Sequence, residues 1–61
     1  MNKDNLQVGQ IVKYIGPDRM ISRKADYKVV RIENTLITIE QLKNKTQIWR
    51  VTYREVVLKP T

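Results

Sequence analysis

The sequence predicts an all-β fold, a small barrel of five strands, and three observations support that prediction. The stretch from residue 27 to residue 52 has runs of β-branched and aromatic residues separated by turn-forming residues, a pattern typical of consecutive antiparallel strands. Shorter apolar runs precede and follow this stretch. A chain of 61 residues forms one domain, and its core needs nearly every large apolar side chain.

The strands are delimited by their turn signals. The first strand ends at Gly16-Pro17-Asp18, because proline cannot donate a hydrogen bond to a strand ladder. Residues 19–26 have no periodic pattern, and a loop of that length is often functional or mobile. One turn of 3₁₀ helix at 52–55 is predicted to precede the last strand. The predicted strands cover residues 10–15, 27–32, 36–41, 46–52 and 56–59.

The third strand has an alternative interpretation. Thr38 and Gln41 have the spacing of a helix capping box, which would favour a helix over residues 38–45. The alternation of Leu36 to Glu40 behind a hairpin turn favours the strand. The barrel domain is predicted to span residues 6–59, with a frayed N-terminus at 1–5 and a tail at 60–61.

Charged residues indicate which side of each strand faces the core, because side chains alternate along a strand. The inward set predicted in this way is Val12, Tyr14, Ile37, Ile39, Trp49, Val51, Val56 and Leu58. The second strand is ambiguous: an outward Arg31 places Val30 and Ile32 inside, and a bulge would bring in Val29 as well.

Several apolar residues fall on the outward phase, namely Ile11, Ile15, Val29, Leu36, Ile48 and Val57. Either strand bends bring some of them into the core, which is the favoured interpretation, or they form a contact surface for a protein partner or a second copy of the chain.

The charge balance favours a polyanionic partner. Twelve Lys and Arg against six Asp and Glu give a net charge of +6, and a cationic surface favours DNA or RNA through phosphate contacts. Arg pairs with phosphate in bidentate fashion, and a Tyr ring provides a surface on which a base stacks. The predicted phosphate contacts are Arg19, Arg23, Lys24, Lys28, Arg31, Arg50 and Arg54, with Tyr27 and Tyr53 as stacking candidates.

The sequence gives no indication of catalysis. It has no His and no Cys, so the familiar nucleophile–base pairs and the usual zinc, haem and iron–sulfur ligand sets are excluded. No carboxylate pair has the spacing of an acid–base pair, and no Gly-rich phosphate loop is present. We therefore expect a non-catalytic protein with no cofactor, no metal and no membrane span, located in the cytoplasm.

The order of strands, long first loop, tight hairpins and one-turn break resembles that of the SH3-like small barrels over residues 6–59. The runs from Val8 to Gly16 and from Val29 to Ile39 are similar to the KOW-like barrels of ribosomal and transcription-associated proteins. Tyr27-Lys28 stands where a KOW motif has glycine, so the resemblance is to the broader barrel type. It implies binding to RNA, DNA or a protein segment.

A second resemblance involves Gln47-Ile48-Trp49. This segment is similar to the Gln-Ile-Tyr segment of the plasmid-encoded dihydrofolate reductases, which are tetramers of the same small barrel. It implies a tetramer in which Gln47 and Ile48 line a central pore that binds a nicotinamide cofactor.

Overall fold

The structure, a computed structural model, describes residues 6–60 and shows an all-β fold. The predicted five strands and the one-turn 3₁₀ helix before the last of them are confirmed; the segment 1–5, predicted to be frayed, and Thr61 lie outside the described residues. The strands are β1 (Ile11–Tyr14), β2 (Asp26–Glu33), β3 (Leu36–Gln41), β4 (Ile48–Thr52) and β5 (Val56–Leu58), with the 3₁₀ helix at Tyr53–Glu55. Within the described range this turn is the only helix, and no helix is long and apolar enough to cross a membrane.

All five strands belong to one antiparallel sheet with the order β4-β3-β2-β1-β5. The hairpin between β2 and β3 turns at Asn34, whose φ of 55° lies in the left-handed region that asparagine tolerates better than most residues. The chain continues as a strand to Gln41, so the alternative helix over residues 38–45 is wrong. Alternation overrode the capping-box signal because the inward side chains of β3 pack in the core.

The core contains side chains from every strand. The inward assignments of Val12, Tyr14, Ile37, Ile39, Val51 and Val56 are confirmed, and Trp49 packs against this cluster from a half-buried position. The prediction that Leu58 is buried is wrong, because its side chain is exposed. Leu58 pairs with Val12 and therefore has the inward phase. However, β5 lies at one end of the strand order, so only one neighbouring strand is there to cover its side chains.

A β-bulge in β2 explains the remaining differences from the predicted alternation. The register with β3 shifts between Val29 and Arg31, which places an extra residue on β2 and reverses the phase beyond it. Val29 is fully buried before the bulge, and Ile32 packs against the core after it. The ambiguity of the second strand is thus resolved by the bulge, which brings Val29 inside and leaves Val30 half-buried.

The bulge also explains why Tyr27, predicted as a surface on which a base stacks, is in fact turned inward. Its side chain has no exposed surface, because Tyr27 shares the phase of Val29 and pairs with Val12 of β1. Among the other outward-phase apolar residues, Ile11 is half-buried and Ile15, Leu36, Ile48 and Val57 are exposed.

The long loop between β1 and β2 is attached to the core. Ile21 is buried among the core residues, although the sequence pattern gave no reason to place it there. The Tyr14 hydroxyl accepts a hydrogen bond from the backbone N–H of Asp18 at 3.0 Å, and the Tyr27 hydroxyl donates to the carbonyl oxygen of Ser22 at 3.0 Å. Two buried tyrosines therefore hold the loop from beneath, at Asp18 and Ser22.

Asp26, at the start of β2, connects three strands by its charge. Its carboxylate lies 2.8 Å from the ammonium group of Lys13 on β1 and 2.5 Å from that of Lys59, which follows β5. The ammonium group of Lys13, followed by that of Lys59, holds the pKa of the Asp26 carboxyl below its ordinary value of 3.8. The folded state is thus stabilised by the ionised carboxylate.

This arrangement predicts an acid-sensitive contribution to stability. Asp26 favours folding above its ordinary pKa of 3.8, and that contribution is lost as the pH falls through the lower pKa of the folded protein. We expect Asp26→Asn to be less stable than the wild type at neutral pH, with a difference that shrinks between about pH 5 and pH 2. Urea unfolding midpoints measured across that range check this; a difference that stays constant would contradict it.

Candidate nucleic-acid interface

The structure divides six of the seven predicted basic residues into a sheet group and a loop group, and the seventh, Arg54, lies on the 3₁₀ helix. The sheet group is Lys28, Arg31 and Arg50, on the outward side of β2 and β4. Arg31 and Arg50 both pair with Thr38 of β3, one from each side, so they lie in one row across the sheet. Lys28 belongs to the next outward row, opposite Glu40.

Glu33 partly offsets the charge of the sheet group. Its carboxylate lies 2.7 Å from Nε of Arg31 and 3.7 Å from the guanidinium of Arg50. The two arginine side chains are nevertheless 70% and 64% exposed, and exposed ion pairs of this kind contribute only about 0–1 kcal/mol. Both guanidinium groups therefore remain accessible to a phosphate, with a net positive charge between them.

The loop group is Arg19, Arg23 and Lys24, and these three side chains line one open groove of about 650 Å³. The buried Ile21 lies among them, and the carboxylate of Asp18 is also at the groove. Asp18 accepts a hydrogen bond from the backbone N–H of Met20 at 2.9 Å. The groove thus gathers three cations and one anion on a loop that is fixed to the core.

One hydrogen bond within the loop and one from β1 help to define the shape of this groove. Arg23 donates from Nη2 to the carbonyl oxygen of Gly16 at 2.6 Å, which uses one of its five N–H donors. Lys13 donates from Nζ to the carbonyl oxygen of Lys24 at 3.1 Å. Arg23 therefore has a partly structural role, whereas the side chains of Arg19 and Lys24 make no salt bridge with any other residue in the range 6–60.

Two of the predicted site residues lie on the 3₁₀ helix. Arg54 donates from Nε to the Tyr53 hydroxyl at 3.2 Å, and its guanidinium lies 5.6 Å from the centroid of the Tyr53 ring. Tyr53 packs against the core from a half-buried position. The two side chains form a cation–π pair, so in the free protein Arg54 occupies one face of the ring that was predicted to stack on a base.

Tyr27 does not offer a stacking surface, because its side chain is fully buried. Its role is structural: the ring fills the core and its hydroxyl holds the loop at Ser22. The sequence contained a signal for this. Tyr27 and Val29 are two residues apart and face the same side of a strand, whereas Ile32 falls on the opposite phase. Such a change of phase within one apolar strand indicates a bulge.

The outward apolar residues do not form one continuous patch on β3 and β4. Leu36 pairs with Thr52, Ile48 pairs with Glu40, and the charged row containing Arg50 lies between these two pairs. Val57 is on β5, opposite Lys13. Among residues 6–60, no three His, Cys, Asp or Glu side chains come together as a metal site.

A second groove was not anticipated from the sequence. It lies between the long loop and the turn that follows β3, and its volume is about 380 Å³. Leu42 and Lys43 contribute from the turn, and Lys24 and Ala25 contribute from the loop. No local sequence pattern predicts it, because it depends on the pairing of the start of β2 with the end of β3.

Comparison with protein-family models, with curated proteins and with solved structures finds no match to this chain. The functional interpretation therefore depends on the two basic groups and the grooves beside them.

Proposed function

We propose that this protein is a non-catalytic small barrel of the SH3-like type that binds DNA or RNA, mainly through the phosphate backbone. The observation that carries the proposal is the loop groove lined by Arg19, Arg23 and Lys24. The strand order, the long first loop and the 3₁₀ helix before β5 support the barrel type.

Pre-organisation favours the loop group as the primary contact. Binding to a mobile loop would cost the conformational entropy of ordering it. Here Ile21 and the hydroxyls of Tyr14 and Tyr27 already fix the loop, so that cost is small. Arg19 and Lys24 also need not break a salt bridge to another described residue before they bind a phosphate.

The sheet group gives a second set of phosphate contacts. Arg31 and Arg50 lie in one cross-strand row and share Glu33. A phosphate that replaces Glu33 as their partner would gain charge-assisted hydrogen bonds, which are stronger than an exposed ion pair. We therefore expect this group to add affinity without determining the preferred sequence.

An NMR titration tests the proposal and locates the contact. Uniformly ¹⁵N-labelled protein is titrated at low salt with single-stranded DNA and RNA of about 12 nucleotides, the upper part of the range for one small barrel. We expect amide shift changes concentrated in residues 18–24, with smaller changes beside Arg31 and Arg50, because these are the proposed phosphate contacts.

The strand β5 provides an internal control for this titration, since Val57 and Leu58 are exposed but carry no charge. Their amides should keep their positions. Changes confined to β5, or no change with either nucleic acid, would contradict the proposed function.

A further inference from the structure

The second groove has a different chemical character from the loop groove. Leu42 and Ala25 supply apolar surface, and Leu42 is 43% exposed. Gln41 adds a side-chain amide, which both donates and accepts hydrogen bonds. Lys24 and Lys43 lie at the same groove, and neither makes a salt bridge to another residue in the range 6–60.

Among residues 6–60, the one carboxylate that lines this groove is already paired. Asp26 lies between the ammonium groups of Lys13 and Lys59, both within salt-bridge distance. Its negative charge is therefore offset by two cations and opposes an anionic ligand only weakly. Lys24 and Lys43 therefore give the groove a net positive charge.

The two grooves are neighbours. Ser22 and Lys24 line both of them, so the basic groove and the partly apolar groove meet at these two residues. A polynucleotide whose phosphates lie along Arg19, Arg23 and Lys24 therefore passes the entrance of the second groove. Along that polynucleotide, phosphates alternate with bases. The basic groove suits the phosphates, and the partly apolar groove beside it suits a base.

We propose that the second groove binds one unstacked base of a single-stranded nucleic acid, while Lys24 and Lys43 bind the phosphates on either side of that base. The proposal rests on the proposed function and adds the class of ligand. The apolar side chains of Leu42 and Ala25 contact the face of the base, and Gln41 contacts its polar edge. A volume of about 380 Å³ lies within the usual range for small-ligand sites.

Single-strandedness follows from the geometry of the ligand. Bases in a duplex are stacked and paired, and removing one from the stack has an energetic cost. A groove that accepts a base therefore favours a strand whose bases are already free. A duplex has its phosphates available to Arg19, Arg23 and Lys24, but it cannot place a base against Leu42 without unpairing it.

Fluorescence anisotropy with three labelled ligands tests this proposal: oligothymidine of about 12 nucleotides, an abasic deoxyribose-phosphate oligomer of the same length, and a duplex of that length. The abasic oligomer has the same backbone charge and no bases. We expect wild-type protein to bind oligothymidine at least about fivefold more tightly than the abasic oligomer, because only oligothymidine buries a base. The duplex should also bind more weakly than oligothymidine.

Leu42→Ala and Leu36→Ala form a matched pair of variants, because the two leucines are 43% and 40% exposed and only Leu42 lines the groove. We expect Leu42→Ala to weaken oligothymidine binding about threefold and to leave binding to the abasic oligomer unchanged. Leu36→Ala should change neither affinity. Thermal unfolding followed by circular dichroism checks that both variants are folded.

The outcomes separate this proposal from the function on which it rests. Equal affinity of the wild type for oligothymidine and the abasic oligomer would overturn the base site and leave phosphate binding intact. The same conclusion would follow if Leu42→Ala weakened the binding of oligothymidine and of the abasic oligomer by the same factor. No binding to any of the three ligands, nor to an RNA single strand of the same length, would overturn the proposed function itself.

Discussion

Replacement of Tyr14 by alanine is expected to remove most of the stability of the fold. The ring is almost completely buried, and truncation of a large buried aromatic residue costs about 3–5 kcal/mol. A chain of 61 residues has a total stability of roughly 3–9 kcal/mol. The Tyr14 hydroxyl also donates to Oε2 of Glu55 at 3.1 Å and accepts from the N–H of Asp18, so the substitution disconnects the loop and the 3₁₀ helix together.

Urea unfolding of Tyr14→Ala, Tyr14→Phe and Tyr53→Ala measures this effect and its parts. Tyr14→Phe keeps the ring and removes the hydroxyl, so we expect a loss of about 1–2 kcal/mol. Tyr53 is half-buried at the edge of the core, and its replacement should cost less than that of Tyr14. A loss below about 1 kcal/mol in Tyr14→Ala would contradict the described packing.

The same side chain contributes a dependence on alkaline pH. Burial, with the Glu55 carboxylate nearby, raises the pKa of the Tyr14 phenol above its ordinary value of 10.0. The neutral phenol thus favours folding below pH 10, and this contribution is lost as the pH rises through the higher pKa of the folded protein. Its sign is opposite to that of Asp26, so the two groups limit stability at opposite ends of the pH scale.

The affinity for nucleic acid is expected to fall steeply with salt, and this is the largest functional effect. Each phosphate neutralised on a single strand contributes about −0.7 to the slope of log affinity against log salt. Contacts from Arg19, Arg23 and Lys24 alone predict a loss of about twentyfold between about 50 and 200 mM salt. If Arg31 and Arg50 also bind phosphate, the loss rises to about a hundredfold over the same range.

Anisotropy titrations of one labelled single strand at several salt concentrations measure this slope. All titrations are done at the same pH, so that only the salt concentration differs between them. An affinity that does not depend on salt would be inconsistent with contacts to the phosphate backbone. It would also contradict the inference, drawn from the net charge of +6, that the partner is a polyanion.

Alternation was sufficient to predict β1, β3 and β4. In β1 and β4, a single charged residue, Lys13 or Arg50, lies between apolar neighbours, so only one phase fits a buried core. β2 was ambiguous because Val29, Val30 and Ile32 allow two phases, and the choice depends on pairing with β3. The misplaced Tyr27 is the consequence of that choice.

The candidate site was predictable only in part. The basic character of the loop follows directly from Arg19, Arg23 and Lys24 in the sequence. The anchoring of Ile21, the separation of loop and sheet groups, and the groove at Leu42 all depend on contacts between segments far apart in the chain. Local patterns of residues do not contain that information.

The most direct test of the central claim compares salt slopes of the wild type and of Arg19→Gln/Lys24→Gln. Glutamine removes the charge of two side chains that make no salt bridge within residues 6–60. With a single-stranded ligand, we predict a slope shallower by about 1.4 in the double variant, since two phosphate contacts are lost. Lys45→Gln, which removes a cation that lines neither groove, should keep the wild-type slope. A double variant with the wild-type slope would show that Arg19 and Lys24 do not bind phosphate and would contradict the loop groove as the primary contact of the proposed function.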